Sequence, residues 1–135
     1  MIMKEFLNEL SGELKYIKHR MEKGVCHIYC ESKNKDRKPV HARQERIIKD
    51  LPFGDKETYL HIISKRYYKK DGTTYAEEFD FINDTGRRTR RLDEKIVKVS
   101  KESNMVGTEA ILGQMNIKVS DTTIIRMLKK NRNNR

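Results

Sequence analysis

Apolar residues have helical spacing at the start of the chain, alternate with polar residues from there to about residue 83, and have helical spacing again after residue 86. A cluster between Phe6 and Leu14 has helical spacing and predicts a short helix over residues 3–11. Beyond it, apolar and polar residues alternate in short runs separated by turn-forming residues, which predicts β-strands. After Gly86 the spacing is helical again.

Turn signals separate the predicted strands. Gly24 marks a turn over residues 22–24, and Gly72 marks a tight turn before the last strand. Pro52 and Gly54 interrupt regular structure, so the third strand is expected to end before them. The predicted strands are 14–20, 25–31, 40–49, 57–68 and 73–79. The first two are predicted to form a hairpin, and the last two to pair antiparallel.

Helices are predicted after a turn-rich boundary at residues 83–86. Leu92, Ile96 and Val99 repeat at i, i+4 and i+7, which is typical of a helix with one buried side. The last helix begins at Ser120, a good N-cap residue. The predicted helices are 89–103, 107–115 and 120–130.

The connection between the last two helices has the length of the turn in a helix-turn-helix. It comprises residues 116–119, and Ile117 and Val119 are expected to fill the corner. The predicted fold class is α+β, a small antiparallel β-rich N-terminal unit followed by a three-helix helix-turn-helix domain. The corresponding domains are residues 1–82 and 86–132.

Positive charge is concentrated in the helical third. The chain of 135 residues carries 30 lysine and arginine against 20 aspartate and glutamate, a net charge of +10. Residues 86–135 hold 13 basic and 5 acidic side chains, whereas residues 1–85 hold 17 and 15. Cations gathered at one end favour an anionic partner, because each neutralised phosphate releases condensed counterions. Double-stranded DNA is the expected partner, and a solvated lysine-rich surface is the alternative.

Composition argues against several other classes of protein. No apolar run is long enough to span a bilayer, so no membrane partner is expected. The N-terminal segment is amphipathic and carries acids, unlike a secretion signal. Two cysteines do not suit a disulfide scaffold, and the expected location is the cytoplasm.

The last helix has the side-chain distribution of a recognition helix. At about 100° per residue, Ile124, Met127 and Leu128 gather on one side. Arg126 is the side chain expected to contact guanine through two hydrogen bonds, and the lysines are expected to contact phosphates. An ordinary amphipathic surface helix is the alternative. The predicted DNA-binding residues of this segment are Ser120, Thr122, Thr123, Arg126, Lys129 and Lys130.

A run of four arginines opens the first helix of this third. It comprises Arg87, Arg88, Arg90 and Arg91. Arginines at a helix N-terminus are opposed by the helix dipole, and an anionic partner would offset that cost. These four residues are therefore predicted to bind DNA, and a flexible basic linker is the alternative.

Cysteines, histidines and acids do not form a recognisable metal or catalytic motif. Cys26 and Cys30 fall on one predicted strand, about 13 Å apart, which is too far for two ligands of one zinc ion. The four histidines are scattered in sequence, and there is no phosphate-binding glycine loop. No metal, no cofactor and no catalytic residue are predicted.

The order of several short segments resembles the transposases of the ISL-three insertion-sequence family. Each segment is short, but their order and spacing are shared over nearly the whole chain. The segments lie at residues 25–29, 39–43, 50–53, 59–62, 64–68, 87–92 and 119–126.

The resemblance implies an N-terminal zinc-binding module, a helix-turn-helix and then a nuclease domain, with the first two recognising the inverted repeats at the ends of the element. Two departures follow. Residues 36–39 and 69–72 stand where the family's zinc cysteine pairs would fall, so the zinc site is expected to be missing. The chain also ends shortly after the predicted helix-turn-helix, so no nuclease activity is expected.

Three functions remain open from the sequence. The first is a DNA-binding transposase fragment without a catalytic domain, or a stand-alone helix-turn-helix regulator. The second is one part of a split transposase, an enzyme whose nuclease domain is supplied by a second chain or a frameshift product. A second copy of the chain or a full-length transposase is the expected protein partner. The third is an RNA- or ribosome-associated protein, with Tyr59, Tyr67 and Tyr68 as stacking platforms on an exposed sheet face.

Overall fold

The computed structural model describes residues 2–33 and 38–133 of the chain, with side chains up to residue 130. Helices and strands begin and end within a few residues of the predicted ones, apart from the last strand, which is shorter. In chain order they are α1 (Ile2–Leu10), β1 (Leu14–Glu22), β2 (Val25–Ser32), β3 (Val40–Phe53), β4 (Lys56–Tyr68), β5 (Thr74–Ala76), α2 (Arg90–Glu102), α3 (Met105–Gln114) and α4 (Asp121–Asn133).

The predicted fold class is wrong, because the strands form one mixed sheet rather than a small antiparallel unit. The strand order is β1-β2-β4-β3, with β5 paired to the end of β4. Strands β2 and β4 run parallel, with His27 opposite Tyr59 and Tyr29 opposite His61. The prediction made the whole unit antiparallel, whereas β4, rich in apolar residues, lies between β2 and β3 and is buried on both sides.

Two hairpins are fixed by residues with positive φ. Lys23 (φ 51°) and Gly24 (φ 78°) occupy the two central positions between β1 and β2, the conformation of a type I′ turn. Gly54 (φ 63°) lies in the turn between β3 and β4. The resulting registers place Glu22 opposite Val25 and Phe53 opposite Lys56.

Strand β3 does not end before Pro52, contrary to the prediction. The pairing with β4 continues to Phe53, with a shift of register between Asp50 and Phe53. Proline cannot donate to a ladder, and a bulge is one of the places where a strand accommodates it. Leu51, at this irregularity, packs against the helices instead of the sheet core.

One side of the sheet forms the first hydrophobic core. Strand β2 alternates buried and half-buried residues, which directs Cys26, Ile28 and Cys30 to this side. Helix α1 covers it with Met3 and Leu7. The remaining buried residues of this core are Leu14, Ile48, Leu60, Ile62, Phe81 and Ile82.

The three C-terminal helices form a second core. Leu92, Ile96 and Val99 are buried on α2, as the helical spacing indicates, and they pack with Leu112, Ile117 and Ile124. Helix α3 ends with Asn116 at φ 57° and a hydrogen bond from Ile117 N to Leu112 O of 2.8 Å, which is the Schellman arrangement. No helix in the described ranges is long and apolar enough to cross a membrane.

Backbone hydrogen bonds join the start of the helical part to the sheet. Lys49 N donates to Arg87 O and Thr89 N donates to Lys49 O, both at 2.9 Å, so residues 87–89 continue the sheet beside β3. Arg90 N donates to Phe81 O at 2.8 Å. The turn-rich segment at the predicted domain boundary is therefore attached to β3 by backbone hydrogen bonds.

Candidate nucleic-acid interface

Helix α4 is capped at its N-terminus by the residue that the sequence indicated. Ser120 Oγ accepts from Thr123 N at 3.2 Å, and Ser120 O accepts from Ile124 N at 3.0 Å. Asp121 lies in the first turn, where the helix dipole favours a negative charge. The Ser120 hydroxyl is thus committed to the cap, although its residue remains exposed.

The inner side of α4 packs against α2. Ile124 is fully buried, and Met127 and Leu128 are half-buried against the same core. Burying an isoleucine or leucine side chain contributes about 1.5–3 kcal/mol. These contacts fix the rotation of α4 about its own axis, and hence which residues face solvent.

The outer side of α4 consists of Thr122, Ile125, Arg126 and Lys129, all of which are exposed. Within the described ranges, no carboxylate lies within ion-pairing distance of Arg126 or Lys129. Ile125 is 46% exposed and was not among the residues singled out from the sequence. As far as residue 130, the outer side therefore presents two unpaired cations, one hydroxyl and one aliphatic side chain.

Two other predicted DNA-binding residues of α4 lie on the flank of this side. Thr123 is half-buried, and its hydroxyl lies 2.8 Å from the Ser120 hydroxyl. Lys130 contacts the Asp84 carboxylate on the turn before α2. Asp84 also binds Arg90, with 3.2 Å between Arg90 Nη2 and Asp84 Oδ1.

Arg91 points into the protein. Its Nε donates to Asp50 Oδ1 at 2.8 Å, and its Nη2 contacts Asp50 Oδ2. The Asp50 carboxylate is fully buried, and the Thr89 hydroxyl also donates to it at 2.7 Å. The guanidinium lies 4.4 Å from the Phe6 ring centre. Arg91 therefore joins β3, α1 and α2.

The other three arginines of the run differ in exposure. Arg88 is half-buried, and its Nε lies 2.7 Å from Asp93 Oδ1. Arg90 is exposed and donates from Nε to Asp80 O at 2.8 Å, besides binding Asp84. Arg87 is exposed, and only its backbone is hydrogen bonded in the described structure. The sequence suggested that an external anion would balance the arginines at the N-terminus of α2. In the structure, carboxylates of the chain itself largely do so.

The connection between α3 and α4 rests on the β3–β4 hairpin. Lys49 Nζ donates to Lys118 O at 3.2 Å and lies 3.4 Å from Glu57 Oε1, and Asn116 Nδ2 contacts Asp55 O. Burial raises the pKa of Glu57, but its hydrogen bond from Tyr59 and its contacts with the lysines outweigh this and lower it. Glu57 is therefore ionised at neutral pH.

The two cysteines are buried and unpaired. Burial and, to a smaller extent, the Asp50 carboxylate raise the pKa of Cys30 to about 12, so the thiol stays protonated at neutral pH. Burial also raises the pKa of Cys26. In the described ranges, no three histidine, cysteine or acidic side chains are placed to hold a metal ion. Residues 36–37, part of one segment that stands where the family's zinc cysteines would fall, lie outside these ranges.

The tyrosines of the RNA hypothesis do not share one exposed face. Tyr59 is half-buried, with its ring stacked near His27 at 6.0 Å. Tyr67 is 5% exposed. Tyr68 is exposed, but its hydroxyl lies 2.8 Å from His41 Nδ1. These positions do not favour a stacking platform for single-stranded RNA.

Sequence reasoning missed two groups of polar residues. Asp50 was left outside the predicted third strand. An acid between the apolar residues Ile48 and Leu51 could have indicated a buried carboxylate that needs a cation. His27 and His61 were judged too far apart in sequence, yet their rings are hydrogen bonded. Only the parallel pairing of β2 with β4 brings these two together.

Comparisons with protein-family models, with curated proteins and with solved structures each find no match to this chain. The resemblance to ISL-three transposases therefore stays a prediction from the sequence.

Proposed function

We propose that this protein binds double-stranded DNA through the outer side of α4. The observation that carries the proposal is the pair Arg126 and Lys129, exposed and without a carboxylate partner in the described structure, whereas Arg88 and Arg91 are held by acids. Unpaired cations can bind phosphate or base edges without first breaking an internal ion pair.

The dimensions of α4 suit the major groove. Its 13 residues extend about 20 Å, and the groove, about 12 Å wide, admits one helix. Thr122 lies in the first turn, Arg126 one turn later and Lys129 beyond it. In this order, short and bidentate side chains reach base edges while a lysine reaches the backbone.

The sequence resemblance adds a proposed target, the terminal inverted repeats of an insertion sequence. The proposed location is the cytoplasm, from the N-terminal segment and the cysteine content. A second copy of the chain or a full-length transposase would then be the protein partner. Because Lys130 and Arg90 already bind Asp84, and Arg88 and Arg91 bind other acids, the proposed contact set is reduced to Thr122, Arg126 and Lys129, with Arg87 at its margin.

Selection of a preferred duplex from random sequences, followed by binding measurements across a salt series, tests this proposal. Arg126→Ala is expected to weaken binding to the selected duplex by about 1–3 kcal/mol, and binding to random DNA by less. Lys4→Ala on α1 is the control, since it also removes one exposed cation. An equal loss on both duplexes would remove Arg126 from base reading.

Lys129→Ala separates a phosphate contact from base reading. It is expected to weaken binding to both duplexes alike, and to reduce the slope of log K against log salt by about one. A slope unchanged from the parent chain would contradict a phosphate contact. Preference for single-stranded RNA over either duplex would overturn the proposal.

A further inference from the structure

The side of the sheet that α1 leaves uncovered carries three side chains hydrogen bonded in series. Glu45 Oε1 on β3 lies 2.8 Å from His61 Nδ1 on β4, and His61 Nε2 lies 2.9 Å from His27 Nδ1 on β2. His61 is 9% exposed, whereas the Glu45 side chain is 52% exposed. The series therefore runs from a solvent-facing carboxylate through a buried ring to a half-buried ring.

When both rings are neutral and the carboxylate is ionised, these bonds assign each ring proton to one nitrogen. An ionised carboxylate can only accept, so His61 donates to Glu45 from Nδ1. A neutral imidazole has one N–H, so His61 Nε2 accepts and His27 donates from Nδ1. His27 Nε2 is left with a lone pair, and no group in the described structure donates to it.

We infer that Glu45, His61 and His27 bind one proton as a unit, and that this proton changes His27 Nε2 from a hydrogen-bond acceptor into a donor. The proton forms an N–H bond at His27 Nε2, while the Nδ1 proton of His27 transfers to His61 Nε2. His61 then carries the positive charge and donates from both nitrogens. Both hydrogen bonds of the series are retained.

The surrounding charges favour the cation on His61 rather than on His27. Glu45 contacts His61 directly, whereas burial, His61 and Arg20 lower the pKa of His27 against an opposing effect of Glu22. Register and strand alternation place other charged or titratable groups on the same side of the sheet. They are Lys15, Lys18, Arg20 and Glu22 on β1, Tyr29 and Glu31 on β2, Glu57, Tyr59, Lys65 and Tyr67 on β4, Tyr75 on β5, and Arg43 and Lys49 on β3.

A second proton would break the series. It would place N–H groups on both nitrogens that face each other, His61 Nε2 and His27 Nδ1. The lowered pKa of His27 in the folded state means that the unfolded chain binds this proton at a higher pH. The contribution of His27 to the free energy of unfolding is therefore complete above the ordinary histidine pKa of about 6.5. It is lost progressively as the pH falls below that value.

Nitrogen-15 NMR of the histidine rings, from about pH 8.5 to about 4.5, tests the inference. At the alkaline end, His27 and His61 are both expected as Nδ1–H tautomers. In the first titration step, His61 becomes an imidazolium and His27 switches to the Nε2–H tautomer. His19 and His41, whose rings bond to tyrosine hydroxyls instead, are internal controls.

A His27 ring that is already Nε2–H at alkaline pH would overturn the inference, as would two rings that titrate independently. Glu45→Gln tests the role of the charge, since its amide oxygen can still accept from His61. This variant is expected to keep the alkaline tautomers and to take up its first proton at a lower pH. An unmoved titration would contradict the assignment of the cation to His61.

The decline in stability is tested with His27→Gln. This variant removes the group with the lowered pKa, so its urea midpoint is expected to fall less between about pH 7 and about pH 5 than that of the parent chain. Equal falls of the urea midpoint in the variant and the parent chain would show that the second proton is bound at a group other than His27. None of these measurements depends on DNA binding by α4.

Discussion

The arginine run and the outer side of α4 are both cationic, but their charges face different partners. In the run, Arg91 holds the buried carboxylate of Asp50, and Arg88 holds Asp93. On α4, Arg126 and Lys129 face solvent and are not paired in the described structure. Proximity to an acid, rather than the density of positive charge, decides which cations are available to an external anion.

The difference has a physical origin in Asp50. An isolated carboxylate inside a protein is strongly disfavoured, and it is tolerated when a guanidinium and other donors satisfy it. Arg91 supplies two hydrogen bonds and Thr89 a third. The first turn of α2 is thereby fixed on β3, which makes the run an attachment between sheet and helices.

The largest effect is expected from Arg91→Ala. Removing this guanidinium leaves the Asp50 carboxylate buried without its cation, so the free energy of unfolding should fall by about 3–5 kcal/mol. Arg126→Ala, the matched truncation on α4, should change it by no more than about 0.5 kcal/mol. Urea unfolding of both variants would measure the contrast. Similar losses in the two variants would contradict the distinction between the regions.

Arg88 and Arg87 give a sharper comparison, because they are neighbours in the run. Arg88→Ala removes a charged hydrogen bond to the half-buried Asp93 and should cost about 1–2 kcal/mol of stability. Arg87→Ala should cost no more than about 0.5 kcal/mol, since its side chain is exposed. Urea unfolding checks both variants. A loss of stability in Arg87→Ala as large as that in Arg88→Ala would show that the two arginines contribute alike to stability.

Hydrophobic spacing predicted most of the elements but not the arrangement of the sheet. The stripe Leu92, Ile96, Val99 located α2, and Gly24 located the first hairpin, because both signals depend on a few neighbouring residues. The parallel pairing of β2 with β4 depends on which strands become neighbours in the sheet, and no run of adjacent residues specifies that order. Pro52 misled the prediction, since a bulge accommodates it within β3.

For the candidate site, helical geometry predicted which residues of α4 are exposed but not which of its cations form ion pairs with distant acids. The buried position of Ile124 fixes the rotation of α4, so the exposure of Thr122, Arg126 and Lys129 could be derived from helical geometry alone. The contact of Lys130 with Asp84 could not, because it depends on where the turn before α2 folds back. The pairing of Arg91 with Asp50 likewise joins residues far apart in sequence.

The smallest effect is expected where the two regions meet, at Asp84. Its carboxylate binds Arg90 and Lys130, one cation from each region, and all three side chains are about half exposed. Exposed pairs of this kind contribute little to stability, so Asp84→Asn should leave the urea midpoint nearly unchanged. It would, however, release two cations beside Arg126.

If α4 binds duplex DNA, the released cations should raise the affinity of Asp84→Asn a few-fold at about 0.1 M salt, and steepen the slope of log K against log salt by about one to two. Glu9→Gln is the control, because it removes one exposed acid on α1 and changes the net charge equally. A gain shared by both variants would reflect net charge alone. A gain confined to Asp84→Asn would show that pairing with Asp84 keeps Lys130 and Arg90 from contacting DNA, unlike the unpaired Arg126 and Lys129.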